Sequence, residues 1–429
     1  MKSFSWKSLV ASLSIITVVA AACKDKKASQ LVIENTGIDK PDELIVLKRS
    51  ELESRVDSLT SSKYVLLQDA GRPLVIQYDD LDGDGNWDEM AFLLSLKAGE
   101  KKLLTIGLSD APATIKAMVR AHVRHKRKHA DNTFGDDLST DSIPAGQPAT
   151  DFSKDAWPPF LTEGPAWEND KVGFRIYFDV RNGKDIWGKT TPRMVLDEVG
   201  TDTANNYHAK ADWGMDILKV GKSLGAGSLA LAVKGADGKD TLVRLGNLNM
   251  GTIRYKKIAD GPVRAFFRLQ YPAWKVLDNA APVSLTEEIS IWGGQYFYES
   301  KVTLTGAPDG AKLVTGIVNL HSHASKNIDT AGYKALYTYD AQSENKDNLG
   351  MALVVSKKEF NGLITTPNEN TDVQNTYGIA FNSNQQPVEF RFYAGWQPSD
   401  PQFADEPAFT QFLSKEIARI SKPVTISWQ

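Results

Sequence analysis

Residues 163–227 combine aromatic, acidic and basic side chains more densely than any other part of the chain. Trp167, Trp187 and Trp213 lie among carboxylates, arginine, lysines and His208. An aromatic ring can cover the apolar face of a sugar, while charged groups bind its hydroxyls and carboxylates. The stretch therefore indicates a carbohydrate site. A structural interpretation fits equally well, in which the tryptophans are core or sheet-edge aromatics and the charges belong to solvated turns.

The first 22 residues have the features of a lipoprotein signal peptide. A short basic start precedes an apolar stretch from Ser8 to Ala22, which is too short to span a bilayer as a helix. Cys23 follows directly and is the only cysteine of the 429 residues, which suits a mature protein in an oxidising compartment. We expect cleavage before Cys23, lipidation of its sulfur, a tether over residues 23–30 and anchoring at the outer membrane. A secretory signal followed by an incidental cysteine is the alternative.

Charge and hydropathy exclude two classes of protein. The net charge is -3 and the isoelectric point is near 6.1, so no broad basic surface is available for nucleic acid. The one basic run, residues 120–128, alternates with apolar residues and predicts a strand with one solvated face. After the signal, no segment is long and apolar enough for a transmembrane helix.

Hydrophobic alternation predicts a mainly β protein with two sandwiches. Short alternating segments indicate a small N-terminal β-sandwich over residues 31–112. Residues 113–160 are typical of a strand followed by a polar linker. Longer alternating segments predict a large antiparallel sandwich over residues 161–429. Near the C-terminus, apolar residues at helical spacing predict one amphipathic helix at about 406–420.

An acidic loop between two predicted strands has the ligand spacing of a calcium site. Oxygen donors occur at Asp80, Asp82, Asp84 and Asp88, and glycines between them allow a sharp bend. An EF-hand would need Glu at its twelfth position, where this chain has Ala91, so the loop is not an EF-hand. A structural calcium ion is thus the only cofactor expected. The alternative is a tight turn without an ion, because Asp and Gly favour turns for backbone reasons.

Several segments resemble the domain-of-unknown-function family 4861, including the string Trp-Glu-Asn-Asp-Lys at 167–171. The others are 163–189, 207–208, 213–216, 218–221, 224–227, 79–94 and 349–352. The resemblance covers nearly all of the mature chain. It implies an exported protein of Bacteroidetes polysaccharide-degrading systems, often for uronic-acid-rich glycans. It also implies a galactose-mutarotase-like supersandwich and, for part of the family, a dehydratase that acts on uronic-acid oligosaccharides.

Elimination from a uronic acid defines roles for the residues of this segment. The C5 proton must be removed, the charge that builds on the carboxylate must be offset, and the leaving oxygen must be protonated. We expect His208 to be the base or acid, because its ordinary pKa lies near working pH. Tyr207 could relay a proton if the segment is a loop, and Arg175 could offset charge. The residues expected to bind substrate are Trp167, Glu168, Lys189, Asp212, Trp213, Asp216, Lys219 and Lys222.

Two other function classes remain open at this point. A glycoside hydrolase would need two carboxylates that flank the bond, with Glu168, Asp212 and Asp216 as candidates. A non-catalytic glycan-binding lipoprotein would need only the tryptophans, among them Trp396, and would not need His208.

Overall fold

The computed structural model describes residues 28–429 except 114, 116, 203–205, 236–237 and 383–386. The signal peptide and Cys23 lie outside the described residues. The protein is mainly β, with 46% of residues in strands and 9% in helices. None of the helices in the described ranges is long and apolar enough to cross a membrane.

Antiparallel strands dominate the described chain. In chain order they are β1 (Gln30–Glu34), β2 (Lys40–Lys48), β3 (Tyr64–Asp69), β4 (Arg72–Pro73), β5 (Gln77–Asp79), β6 (Glu89–Leu96), β7 (Lys101–Ser109), β8 (Ala121–Arg124), β9 (Thr140–Ile143), β10 (Ala166–Asn169), β11 (Val172–Ile176), β12 (Lys184–Lys189), β13 (Gly214–Asp216), β14 (Ala226–Lys234), β15 (Asp240–Arg244), β16 (Ile253–Asp260), β17 (Arg264–Trp274), β18 (Val283–Trp292), β19 (Phe297–Thr305), β20 (Lys312–Val318), β21 (Lys326–Asp329), β22 (Tyr333–Asp340), β23 (Leu349–Ser356), β24 (Phe360–Thr365), β25 (Thr376–Phe381), β26 (Val388–Trp396) and β27 (Thr425–Trp428). The helices are α1 (Arg49–Arg55) and α2 (Glu406–Ser421), with short 3-10 turns at Leu161–Glu163, Asn247–Asn249, Gln397–Ser399 and Pro401–Phe403.

The small N-terminal sandwich is built from two sheets, and the end of the chain completes it. One sheet has the order β27-β1-β7-β3-β4 and the other the order β2-β6-β5. Their alternating apolar residues meet in a common core that includes Leu31 and Phe92. In β27, Trp428 pairs with Leu31, so the last strand covers an edge that would otherwise be unpaired. This sandwich therefore contains residues beyond the expected 31–112.

The large unit is the expected antiparallel supersandwich. A nine-stranded sheet with the order β21-β22-β23-β26-β19-β18-β17-β16-β9 shares one apolar core with the sheet β15-β14-β20-β25-β24. A third sheet, β13-β12-β11-β10-β8, contributes to the same core. The alternation over residues 285–320 predicts adjacent antiparallel strands. Strands β18 and β19 are such neighbours, but β20 lies in the five-stranded sheet instead of continuing their series. The fold class predicted from alternation is confirmed.

The predicted C-terminal helix is α2, and it covers the nine-stranded sheet. Asp405 caps it by accepting a hydrogen bond from the Ala408 backbone N–H, and Pro407 lies in its first turn. Its apolar face includes Phe409, which packs where strand β23 has Gly350 and leaves no room for a larger residue. The shorter helix α1 was not predicted.

Candidate functional site

The third sheet presents two chemically different faces, because successive residues of a strand point to opposite sides. Trp167, Phe174, Ile186 and Met215 point into the apolar core of the large unit. The alternate residues of β10 to β13 point to the other side and are polar. They are Glu168, Arg175, Asp185, Lys189 and Asp216, together with Trp187.

Arg175 is the centre of a buried ionic cluster on that polar face. Its Nη2 lies 2.8 Å from Oδ2 of Asp185 and 2.6 Å from Oδ2 of Asp216. The same nitrogen lies 2.8 Å from the Tyr177 hydroxyl, which donates to Asp185 at 2.9 Å. Glu163 approaches Nη1 at 3.6 Å. One guanidinium thus holds carboxylates from three separate parts of the chain, and none of the three is more than 5% exposed.

The backbone that supplies Glu163 is strained. Thr162 and Glu163 both adopt the left-handed region, with φ of 49° and 68°, although neither is glycine. Such a conformation costs roughly 1–3 kcal/mol per residue and persists where neighbouring contacts impose it. Here the Arg175 Nη1 donates to the Thr162 carbonyl at 3.3 Å, and Arg124 donates to the Thr162 hydroxyl at 3.0 Å. Backbone strain beside a buried ionic cluster is typical of a functional site.

The cluster reaches solvent through Asp216 and His208. The Nδ1 atom of His208 lies 3.3 Å from Oδ2 of Asp216, and the His208 side chain is 55% exposed. Burial, and then the repulsion of Asp185 and Glu163, raise the pKa of Asp216 well above its usual range, although Arg175 opposes the shift. Burial and the positive charge of Arg175 lower the pKa of His208. Both shifts favour the uncharged forms of the pair, a neutral imidazole beside a protonated carboxyl group.

Tyr207 fixes the position of the imidazole. Its ring centroid lies 4.5 Å from that of His208 and 5.4 Å from that of Trp187. Burial raises the pKa of Tyr207, so its hydroxyl stays protonated. Residues 207 and 208 lie in a turn, so both side chains reach the same region. A joint role of Tyr207 and His208 requires that this segment is not a strand, and the turn meets that requirement.

A pocket of about 290 Å³ opens beside this pair, and we call it the reaction pocket. Its lining includes His208, Asp216, Arg181, Lys219 and Glu344. Arg181 is already neutralised, because its Nη2 lies 2.6 Å from Glu163 and 2.5 Å from Asp179. Lys219 is exposed, and its ammonium group has no partner among the described residues. The pocket thus brings together an imidazole, a carboxyl group and an unpaired lysine.

A profile of the family described as "Domain of unknown function (DUF4861)" matches residues 32–426. The chain belongs to this family. The match spans both sandwiches, so the family includes the candidate site together with the strands that position it.

Two further comparisons found proteins that are similar to this DUF4861 member. "Uncharacterized protein P7" from Formosa agariphila is 22% identical over 442 residues, which cover 97% of this chain and 98% of that protein. An alpha-mannosidase structure from Enterococcus faecalis V583 is 11% identical, with a TM-score of 0.47 over 94% of this chain and 46% of its own. A glycosyl hydrolase family 38 structure from Enterococcus faecalis is also 11% identical, with a TM-score of 0.41 over 94% and 48%. The chain spans about half the length of these two structures.

Three of the residues expected to bind substrate in this DUF4861 member are structural instead. Trp167 is fully buried in the core, where its ring packs on Phe174, so it offers no surface to a sugar. Glu168 and Lys189 form a buried ion pair with each other. Glu168 also accepts hydrogen bonds from the backbone N–H groups of residues 195 and 196 at 2.6 and 2.8 Å. The charges of Glu168 and Lys189 therefore neutralise each other inside the protein and do not face a ligand.

Asp212 and Trp213 lie at a second pocket, of about 550 Å³, which we call the tryptophan pocket. Its lining also includes Tyr207 and Lys210, so it adjoins the reaction pocket across the Tyr207–His208 turn. Trp213 is half-buried and packs against Trp187 at 5.8 Å between ring centroids. Asp212 is exposed, and its carbonyl accepts a hydrogen bond from Thr190. Trp213 is therefore available to a ligand in the way that was expected of Trp167.

Three other expectations have different outcomes. Lys222 is exposed but lies outside the linings of both pockets, which does not support its assignment to substrate. Trp396 is buried, and its Nε1 donates to Asp347 at 2.6 Å. Arg124, expected on a solvated face, is fully buried and donates to the Leu161 carbonyl at 2.6 Å. Arg124 of the basic run therefore supports the backbone next to the site from its buried side.

The acidic loop has an arrangement that is compatible with a cation, but its carboxylates also accept hydrogen bonds from the backbone of the same loop. Carboxylate oxygens of Asp80, Asp82 and Asp88 lie within 4.8 Å of one another. Asp80 also accepts backbone hydrogen bonds from Gly83 and Gly85 at 2.6 and 2.8 Å, as a tight turn does. Asp84, the fourth expected ligand, lies outside that group and accepts from the Asn86 N–H. Both interpretations of the loop therefore remain compatible with its geometry.

Several members of the site were not predicted from the sequence. They are Glu163, Tyr177, Asp179, Arg181, Asp185 and Glu344. Alternation along β11 and β12 could have identified Asp185, because it faces the same side as Arg175. Glu344 comes from a distant loop whose backbone N–H donates to the Ile217 carbonyl, and no local pattern predicts that contact.

Proposed function

We propose that this protein is an exported, lipid-anchored enzyme that acts on uronic-acid-containing oligosaccharides by elimination, as a dehydratase or lyase. The observation that supports this most strongly is the pair of His208 and Asp216 at the reaction pocket. Elimination at a sugar needs a base and an acid in one place, and the two groups have pKa values shifted in the directions those roles require.

In the proposed reaction His208 is the base and Asp216 the acid. The neutral imidazole removes the C5 proton through Nε2, while Nδ1 faces Asp216 at 3.3 Å. The electron pair of the C5–H bond forms the C4–C5 double bond, and the C4–O bond breaks. The protonated Asp216 transfers its proton to the leaving oxygen. Tyr207 holds the imidazole in place and supplies a second protonated hydroxyl for relay.

Lys219 supports the assignment to a uronic acid. Removal of the C5 proton places negative charge on the adjacent carboxylate, and a cation beside it stabilises that charge. Arg175 and Arg181 are both neutralised by carboxylates of the protein. Lys219 is the lining cation whose charge is unpaired within the described ranges, so it suits the substrate carboxylate.

The test is incubation of purified protein with uronic-acid oligosaccharides, followed by ultraviolet absorbance and mass spectrometry. Elimination produces a new double bond that absorbs, and it either removes one water or releases a sugar. We expect His208→Ala to lower the rate roughly 10²–10⁴-fold while binding persists, as for loss of general acid–base catalysis. His321→Ala is the matched control, because His321 is exposed and lies outside the reaction pocket.

The pH profile distinguishes the two roles. His208 acts as a base only when neutral, so the rate should fall as pH drops through its lowered pKa. Asp216 acts as an acid only when protonated, so the rate should fall as pH rises through its raised pKa. Asp216→Asn should remove the alkaline limb and keep the acidic one. A fully active His208→Ala variant would refute the assigned base but not the pocket.

Glycoside hydrolysis is the second candidate, and one observation favours it. Asp216 and Glu344 both line the reaction pocket and provide the two carboxyl groups that a hydrolase needs. Hydrolysis would produce new reducing ends without new ultraviolet absorbance. Trp213→Ala separates binding from both reactions, because it removes a stacking surface in the tryptophan pocket and should weaken binding alone. Unchanged substrate masses with retained binding would leave only the non-catalytic glycan-binding protein.

A further inference from the structure

The segment expected to be a polar linker forms a third pocket, which we call the outer pocket. It has a volume of about 550 Å³ and is lined by Trp157, Phe134, Asn132, Asp131 and Lys126, with Thr201 at one side. It lies outside the residues that the proposed reaction uses.

Backbone contacts hold the two aromatic residues of the outer pocket together. Lys128 pairs with Phe134 across a short antiparallel bridge, and its N–H donates to the Pro159 carbonyl at 3.0 Å. The chain segments before and after this bridge are thereby fixed side by side. The rings of Phe134 and Trp157 meet at 5.8 Å between centroids and at 68°, an edge contact. Two aromatic rings in edge contact give a rigid apolar corner.

Trp157 still has binding capacity. It is half-buried, and its Nε1 has no hydrogen-bond partner in the part of the chain that the structure describes. The rim is polar, since Asn132 accepts from Lys128 through Oδ1 and its Nδ2 donors are unused by the described residues. An apolar ring surface beside unused amide donors suits a pyranose, which has an apolar face and hydroxyls at its edges.

The charges of the outer pocket favour a neutral sugar over a uronate. The Nζ of Lys126 is 2.6 Å from Asp197, so its charge is already paired. Asp131 contributes a carboxylate at the rim, and the hydroxyl of Thr133 lowers its pKa, which keeps it ionised. A second carboxylate here would be repelled, while hydroxyls can donate to Asp131.

The outer pocket is connected to the reaction pocket by a short series of contacts. Thr201 lines the outer pocket, and its neighbour Gly200 lines the tryptophan pocket. Gly200 packs beside Tyr207, where a methyl group would lie 3.5 Å from the ring. The ring of Tyr207 in turn contacts that of His208, which lines the reaction pocket, at an angle of 43°. In this series of contacts the tryptophan pocket therefore lies between the outer pocket and the reaction pocket.

We propose that the outer pocket binds a neutral pyranose unit of the same glycan whose uronic acid occupies the reaction pocket. The inference rests on the proposed function and makes the substrate a chain of several units in which neutral and acidic sugars are mixed. Because the tryptophan pocket lies between the other two, we expect a disaccharide bound at the reaction pocket to end before Trp157.

The test compares two series of defined oligosaccharides of two to six units. One series comes from rhamnogalacturonan, in which uronate alternates with a neutral sugar, and the other consists of oligogalacturonates. Binding is measured by calorimetry with the His208→Ala protein, so that turnover does not interfere. We expect Trp157→Ala to weaken binding of the longer alternating chains roughly tenfold, about the effect of truncating one well-packed interface aromatic. Trp157→Phe should restore most of it.

Phe152→Ala is the matched control, since Phe152 is an exposed aromatic of the same segment outside the outer pocket. Equal weakening for disaccharides and longer chains in Trp157→Ala would overturn the proposal, as would no weakening at all. A stronger effect on oligogalacturonates would overturn the neutral-sugar assignment. If neither series binds, the outer pocket and the proposed function are both wrong. If chains bind with the expected length dependence but the wild-type protein leaves their masses unchanged, the proposed reaction is wrong and the proposed role of the outer pocket is retained.

Discussion

We predict that His122 stabilises the fold in a defined pH window. Its Nδ1 is 3.0 Å from Asp260 and its Nε2 is 3.3 Å from Asp197, so one imidazole bridges strand β8, strand β16 and the 195–199 loop. Burial alone would lower the pKa of His122, but the two carboxylates outweigh it and raise the pKa to about 9. The histidine is therefore charged in the folded protein at neutral pH.

The sign and size of the effect follow from this shift. A histidine whose pKa is raised on folding contributes its full stability below its ordinary pKa, and the contribution is lost as pH rises to about 9. A rise from about 6.5 to about 9 corresponds to roughly 3 kcal/mol. Solvent screening at Asp197, whose side chain is 55% exposed, reduces this to about 2 kcal/mol.

The perturbation is His122→Gln, and the assay is urea unfolding at pH 6, 7.5 and 9.5, followed by tryptophan fluorescence. The variant should be about 2 kcal/mol less stable than wild type at pH 6, and the gap should close at pH 9.5. In the variant, Asp197 retains its ion pair with Lys126 and Asp260 retains its ion pair with Lys257, so neither carboxylate is left unpaired. His323→Gln, an exposed substitution, is the control. A gap of equal size at pH 6 and pH 9.5 would refute the reasoning.

Two further predictions concern features outside the ionic cluster. If the loop with Asp80, Asp82 and Asp88 binds calcium to the folded state, calcium should raise the melting temperature by mass action and a chelator should lower it. A melting temperature that neither reagent changes would leave only the turn. If Cys23 is lipidated, Cys23→Ala should move the protein from the membrane fraction to the soluble periplasmic fraction; a variant that stays in the membrane fraction would contradict the anchor.

The fold was predictable because alternation and helical spacing are local signals. The amphipathic helix was placed at 406–420 and forms at Glu406–Ser421, and the long alternating segments form antiparallel strands. Partners of strands are not encoded locally. The pairing of Trp428 with Leu31 joins opposite ends of the sequence, and no periodicity in either strand indicates it.

The candidate site was predictable in composition and less so in detail. The dense segment supplies Arg175, His208 and Asp216, which the structure brings together. Trp167 was misassigned because its face of the strand depends on which side is buried, and sequence alone does not give that. Lys189 looked like a free cation because its partner, Glu168, belongs to a strand 21 residues earlier.

The described chain contains several buried ion pairs, and the one around Arg175 differs from the others in its balance of charge. Lys184 pairs with Glu287, and Lys189 with Glu168, in closed environments where each charge has a single opposite partner. Such pairs contribute little net stability but are costly to break. Arg175 differs, because Asp185, Asp216 and Glu163 exceed the charge that one guanidinium can neutralise. Burial, and then the repulsion of Asp185 and Glu163, raise the pKa of Asp216, the carboxyl group of the three that lines the reaction pocket, and this shift is in the direction that the proposed acid requires.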